Sequence, residues 1–233
     1  MEAQRLYKEG KLSEAIASLQ EELRLDPRDV PRRTFLFELL CFQGEFERAR
    51  KQLDVIEGAD PASYLGTMRF KQVIRAEDKR QEMFRTGALP DRRDEDPPVA
   101  GTLNGEPFED LRDADPRIGP RLEMIAGGQY VWIPFSDLSL VRIPPPALLR
   151  DLLWATAEVE IRDREAGEAN DVVLPVMTAL SWQDPDELVR LGRVTTWTEL
   201  DTGEEAPVGQ KLLLVDDVEF PILEVRELVI HNI

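Results

Sequence analysis

The stretch GKLSEAIASLQEELRLDP, residues 10–27, decides how the first third of the chain reads, because it returns in outline as GEFERARKQLDVIEGADP, residues 44–61. Gly10 falls on Gly44, Ala15 on Ala49, Leu19 on Leu53 and Asp26-Pro27 on Asp60-Pro61, all at one offset of 34 residues. Each landmark has a physical use. Glycine permits a tight turn between helices, alanine lets two helices approach closely, and proline stops a helix. Leu12, Ala15, Ile16, Leu19 and Leu23 are spaced three or four apart, which predicts a helix with one buried stripe, and Ser13 is placed to cap it. Leu36, Phe37 and Leu40 form a comparable stripe, followed by Phe46, Ala49, Leu53 and Ile56. A third segment, residues 61–85, carries Leu65, Met68, Phe70, Val73 and Ile74 at helical spacing.

Paired helices at this period resemble tetratricopeptide repeats. Two repeats and one leftover helix, assigned to residues 1–86, make a short array whose far end must be covered, and the rest of the chain is the expected cover. Such arrays hold peptides or helices on their curved inner face. Thr34, Glu38, Cys41 and Phe42 share one face of the second repeat's first helix, with Tyr7 and Lys8 before them and Met68, Gln72 and Arg75 after them. This face has two readings. It is a partner groove, with Phe42 and Met68 as apolar anchors and Lys8, Glu38 and Arg75 as polar selectors, or Cys41 and Phe42 are ordinary core.

Charge divides the chain. The net charge is −17, yet residues 1–86 balance 16 basic against 16 acidic side chains, so the whole excess lies beyond them. An acidic second half without a basic stripe disfavours nucleic acid and anionic membranes as partners. No apolar run is long enough to cross a bilayer, and the N-terminus lacks the pattern of a secretory signal, so a cytoplasmic location without membrane insertion is expected. Cys41 is the single cysteine, which excludes an internal disulfide.

Residues 87–99 read as an acidic, proline-rich linker. Beyond it, residues 100–233 change to period two. Leu122, Met124 and Ala126, then Gly127-Gly128, then Tyr130 to Ile133 read as a β-hairpin ended by Pro134. Further strands are expected at 159–162, 172–178, 194–200, 211–215 and 220–230. Short helices are expected after Pro144-Pro145-Pro146, through Leu148 to Leu153, and at 185–191. The whole is α+β in two parts, helical repeats followed by a strand-rich unit with short helices, a small barrel being one arrangement of the latter.

Several blocks make the resemblance specific. These are Asp113-Ala114-Asp115-Pro116-Arg117-Ile118-Gly119-Pro120, Tyr130-Val131-Trp132-Ile133-Pro134-Phe135 and Arg150-Asp151-Leu152-Leu153-Trp154. With Val173-Leu174-Pro175, Leu191 to Trp197 (which includes Arg193) and Gly209-Gln210-Lys211, they resemble the ImpE (SciE, TagJ) family of type VI secretion accessory proteins. The resemblance implies a cytoplasmic, non-enzymatic protein that binds the N-terminal helix of TssB, the small subunit of the contractile sheath, and is thereby linked to the ClpV ATPase.

Chemical alternatives are weaker. Asp113 and Asp115 sit among Arg112, Arg117 and Arg121, and Asp before proline commonly starts a turn, so a turn clamped by Arg117 or Arg121 outranks a metal or acid/base site. Asp216, Asp217 and Glu219 read first as a hairpin turn. His231 is a lone histidine near the end, and no phosphate loop or nucleophile elbow is present. Arg150 with Asp151, and Arg193, lie near Trp154 and Trp197, where stacking or pairing that glues the domain is expected. No catalytic residue, metal or cofactor is assigned. The rival readings are a general scaffold for another complex and an enzyme using Asp113, Asp115 or Asp216 with a divalent cation.

Overall fold

The computed structural model describes residues 1–90, 97–162 and 172–231. Five helices come first: α1 (Glu2–Lys8), α2 (Leu12–Leu25), α3 (Val30–Phe42), α4 (Phe46–Ala59) and α5 (Tyr64–Thr86). Gly10 and Gly44 make the α1–α2 and α3–α4 turns with φ of +83° and +72°, in the left-handed region that glycine occupies without strain. The stripe Leu12, Ala15, Ile16, Leu19 and Leu23 is buried throughout. Ser13 is not the N-cap. Lys11 holds that position, and Ser13 lies inside the helix, where its N–H and hydroxyl both donate to Glu187 from the far end of the chain.

The strands are β1 (Gly101–Leu103), β2 (Glu106–Phe108), β3 (Leu111–Asp113), β4 (Arg121–Ala126), β5 (Gln129–Pro134), β6 (Leu138–Arg142), β7 (Trp154–Ile161) and β8 (Val172–Pro175), then a short α6 (Glu187–Arg190). β9 (Thr196–Glu199), β10 (Glu205–Val208), β11 (Leu212–Val215), β12 (Val218–Pro221) and β13 (Glu227–Ile230) follow. Eight of them form one antiparallel sheet in the order β2-β1-β13-β6-β7-β8-β4-β5; β10-β9 and β12-β11-β3 form two small sheets. The main sheet is open, with β2 and β5 at its edges among the described residues, rather than a closed barrel.

The Gly127-Gly128 hairpin forms as expected, both glycines at positive φ, and β5 ends at Pro134. Asp216 and Asp217 likewise turn β11 into β12, both with positive φ. Other boundaries differ. β7 begins at Trp154 rather than 159, because Ala155, Ala157 and Val159 face inward while Thr156, Glu158 and Glu160 face solvent. The leucines of 148–153 therefore form only a one-turn 3-10 helix before it. The expected strand 220–230 is two strands, β12 and β13, separated by a 3-10 turn at Ile222–Glu224. β1, β2, β3, β6 and β10 are short and gave no clear alternation. The expected linker falls partly on residues 91–96, outside the described residues.

Two hydrophobic clusters organise the interior. One lies within the sheet half, around Phe135, Leu138, Val172 and Leu213. The other is shared: Leu19, Phe37, Phe42 and Ile74 from the helices pack with Ile118, Tyr130, Leu153, Trp154 and Val173 from the sheet half.

Candidate partner-binding surface

The turn at 113–117 is architecture. The Asp113 carboxylate accepts the Asp115 N–H at 2.9 Å, and that of Asp115 accepts the Arg117 N–H at 3.0 Å. Arg117 then grips Asp115 through Nε at 2.8 Å and Nη2 at 2.6 Å, as expected, while its guanidinium lies 4.8 Å from the Phe84 ring centre on α5. Asp113 is held differently. Its partner is Lys211 Nζ at 2.5 Å, not an arginine, and Arg121 instead lies over Trp132.

Behind this turn runs a buried chain of charges. Arg80 of α5, only 1% exposed, donates from Nε and Nη2 to the two oxygens of Glu123 on β4 at 2.6 and 2.7 Å. It also reaches Glu77 at 2.8 Å and the Met177 carbonyl at 3.0 Å. Lys211 bridges Glu123 at 2.6 Å to Asp113. Tyr130 donates to Glu123 at 2.7 Å and Trp154 Nε1 to Glu77 at 3.0 Å. Burial would raise the Glu123 pKa, but Arg80 and Lys211 outweigh it and hold it near about 2. For Asp113 burial wins over the pull of Lys211, and its pKa rises to about 6. A buried ion group of this kind is tolerable only because each charge has close partners, and removing one leaves others stranded. Sequence spacing paired neither Arg80 with Glu123 nor Lys211 with Asp113, because the partners lie 43 and 98 positions apart.

The groove residues separate into two groups. Glu38, Cys41 and Phe42 are buried, Phe42 to 2%, beneath the sheet half of the same chain. This corrects the anchor and selector roles expected of Phe42 and Glu38: the inner face at α3 is already filled. Around Cys41, Phe42, Gln81, Trp154, Met177 and Trp182 only a cavity of about 30 Å³ remains, room for roughly one water molecule. Glu38 faces Arg150 at 3.4 Å, and burial raises its pKa to about 7. Lys8, Met68, Gln72 and Arg75 are exposed, and Tyr7 and Thr34 half-buried.

The sheet half also finishes the helix ends. Arg193 lies 4.8 Å from the Tyr7 ring centre and donates to the Lys8 and Tyr7 carbonyls at 2.8 and 2.5 Å, a cation on the C-terminus of α1. Glu187 accepts from Ser13 at the start of α2, an anion where the helix dipole favours one. Arg150 stacks over Phe70 at 5.3 Å, not over Trp154, and Asp151 accepts the Ala147 and Leu148 N–H groups at 2.9 and 2.8 Å instead of pairing with Arg150. Trp154 is buried as expected; Trp197 is not core glue but 38% exposed on β9, whose residues all face solvent.

The carboxylates considered for cation chemistry are engaged. Asp113 and Asp115 hold the turn, and Asp216 accepts the Glu109 and Asp110 N–H groups at 2.9 and 2.8 Å. Among the described residues no group of three or more His, Cys, Asp or Glu side chains is arranged to hold a metal ion, and no helix is long and apolar enough to cross a membrane.

Comparison with known proteins matches both halves. A model of the ImpE protein family matches residues 105–229, and a tetratricopeptide-repeat model matches residues 6–68. A type VI secretion system accessory component of Pseudomonas aeruginosa, TagJ, is 33% identical, over 98% of this chain and 90% of its own length. A crystal structure of a protein from Vibrio parahaemolyticus superposes with a TM-score of 0.87 over 99% of this chain and 98% of that one; at 21% identity it speaks for the fold alone.

Proposed function

The chain belongs to the ImpE family, and from that premise we propose that it is a non-enzymatic, cytoplasmic accessory component of a bacterial type VI secretion system. In this reading it binds the N-terminal helix of the small sheath subunit TssB and is connected through it to the ClpV ATPase. The observation that carries the proposal is the match to TagJ across both halves of the chain. The geometry supports a binding role rather than a reaction, since the carboxylates nearest to a chemical motif are spent on turns and on the interface between helices and sheet. The partner helix is assigned to the exposed part of the repeats, where Lys8, Met68, Gln72 and Arg75 remain accessible.

Titration with a fluorescent peptide copying the first helix of the sheath subunit tests this. Saturable binding is the expected result. A folded protein that does not bind the peptide overturns the TssB assignment and returns the protein to the class of general repeat scaffolds. Calorimetry with magnesium, manganese or calcium is expected to show no specific heat, and a stoichiometric site would favour the enzyme reading.

A further inference from the structure

Among the described residues the helical array stops at α5, with no second helix to complete the third repeat. One side of α5 is taken: Glu77, Arg80 and Phe84 are buried, with Glu77 and Arg80 bonded into the sheet half and Phe84 packed on Trp132. Another side meets α4, where Lys71 pairs with Asp54 and Glu57 at 2.7 and 2.6 Å. The remaining side is exposed at both ends, and at its middle Gln72 lies beside Gly128 of the β4–β5 turn. Leu65, Met68, Gln72, Arg75 and Lys79 are all solvent-facing, and their spacing alternates three and four residues, the period of a helix–helix seam. The seam spans about 21 Å at 1.5 Å per residue.

Its character changes from one end to the other. Leu65 is 77% exposed and Met68 41%, with exposed Tyr64 beside them. Arg75 and Lys79 lie at the opposite end, and neither has an ion-pair partner among the described residues. α5 carries six Lys and Arg against three Asp and Glu, in a chain of net charge −17. Exposed cations left unpaired in so acidic a protein favour an anionic partner. A second copy fits poorly. Two copies paired through this seam would set its cationic end against the same cations or against the apolar end, and neither is complementary.

We propose that the exposed seam of α5 docks an amphipathic helix of a partner protein, apolar where it meets Leu65 and Met68 and acidic where it meets Arg75 and Lys79. The proposal deepens the binding role inferred above by naming its surface and its chemistry.

Two peptides test it against the full-length protein. The first is the sheath subunit's first helix. The second is a designed helix with leucines on one half of its face and glutamates on the other. The expected result is saturable binding of the designed helix that weakens about tenfold or more in Leu65→Ala/Met68→Ala and in Arg75→Glu/Lys79→Glu. Exchanging the peptide's glutamates for lysines is expected to restore binding to the second variant. All four residues are exposed, so unchanged melting temperatures would separate lost binding from lost folding. No binding of the designed helix, or binding indifferent to both variants, overturns the seam, as does light scattering that shows a dimer dissolved by the same substitutions. If the designed helix binds the seam and the sheath peptide does not bind at all, the seam stands and the TssB assignment fails. If the sheath peptide binds equally to wild type and variants, the TssB assignment stands and the seam fails.

Discussion

At the scale of the residue, Glu38 and Arg80 show opposite consequences of burial. The Glu38 carboxyl, pressed under the sheet half, has its pKa raised from 4.5 to about 7, with burial the main cause and Arg150 opposing it. The folded state therefore keeps a proton that the unfolded chain has released. This contribution to stability is complete below pH 4.5 and is lost as pH rises through about 7. Between pH 6 and 8 Glu38 is expected to cost about 1 kcal/mol of folding stability. Glu38→Gln should flatten that part of the profile; urea unfolding at the two pH values reads the difference, and an unchanged slope would contradict the assignment. Arg80 is the reverse case, a charge held because its partners surround it. Arg80→Met would take from Glu77 its cation and from Glu123 its bidentate partner, leaving Glu123 with Lys211 and Tyr130, and is expected to lower stability by about 3–5 kcal/mol. Lys211→Met should cost less, because Glu123 keeps its bidentate contact with Arg80 and Asp113, its pKa already raised to about 6, can take up a proton in place of the lost cation.

At the scale of the element, the turn between α3 and α4 serves two ends. Gly44 adopts φ +72°, and a Cβ placed there would overlap the Trp182 ring, which packs against the turn from the sheet half. Gly44→Ala thus combines left-handed strain with a displaced tryptophan, and a loss of about 2–4 kcal/mol is expected. Gly87, after α5, has the same φ but open space around its Cα, so Gly87→Ala should show only the backbone part, about 1 kcal/mol. Thermal melts of the two variants separate the contributions, and equal losses would argue against the Trp182 contact as a source of stability. Arg193 and Glu187 act at the same scale. Arg193 donates to the last carbonyls of α1, and Glu187 accepts at the start of α2, whose N-cap Lys11 makes no side-chain cap bond.

At the scale of the molecule, the two halves share one hydrophobic cluster and one ion network. Unfolding is accordingly expected as a single cooperative transition, with far-UV circular dichroism and tryptophan fluorescence changing together. A fragment of residues 1–90 would expose Phe42, Cys41 and Glu38, all covered in the whole chain, and is expected to bind the dye ANS and to unfold at a much lower urea concentration. A fragment as stable as the intact protein would show that the cover is dispensable. The same packing explains the division among the groove residues: the face presented by α3 became interior, while the face of α5 stayed outside.

Helix periodicity and the two hairpin turns at Gly127-Gly128 and Asp216-Asp217 were determined by the sequence alone, because each depends on neighbours within one or two turns of chain, and the 34-residue repeat because it is a match of the sequence to itself. The clamp of Asp115 by Arg117 belongs with them, two residues apart. Tertiary structure decided the rest. Whether Phe42 lines a groove or fills a core depends on what packs against it, and that packing brings residues 38 and 150 together across 112 positions. Asp113 could not choose Lys211 over its nearby arginines until β11 was laid beside β3. Short strands such as β1 and β2 have no pattern of their own, since three residues show too little alternation and take their conformation from the sheet they join. Local contacts are encoded where they form, whereas a contact between distant segments exists only once the chain has closed the loop between them.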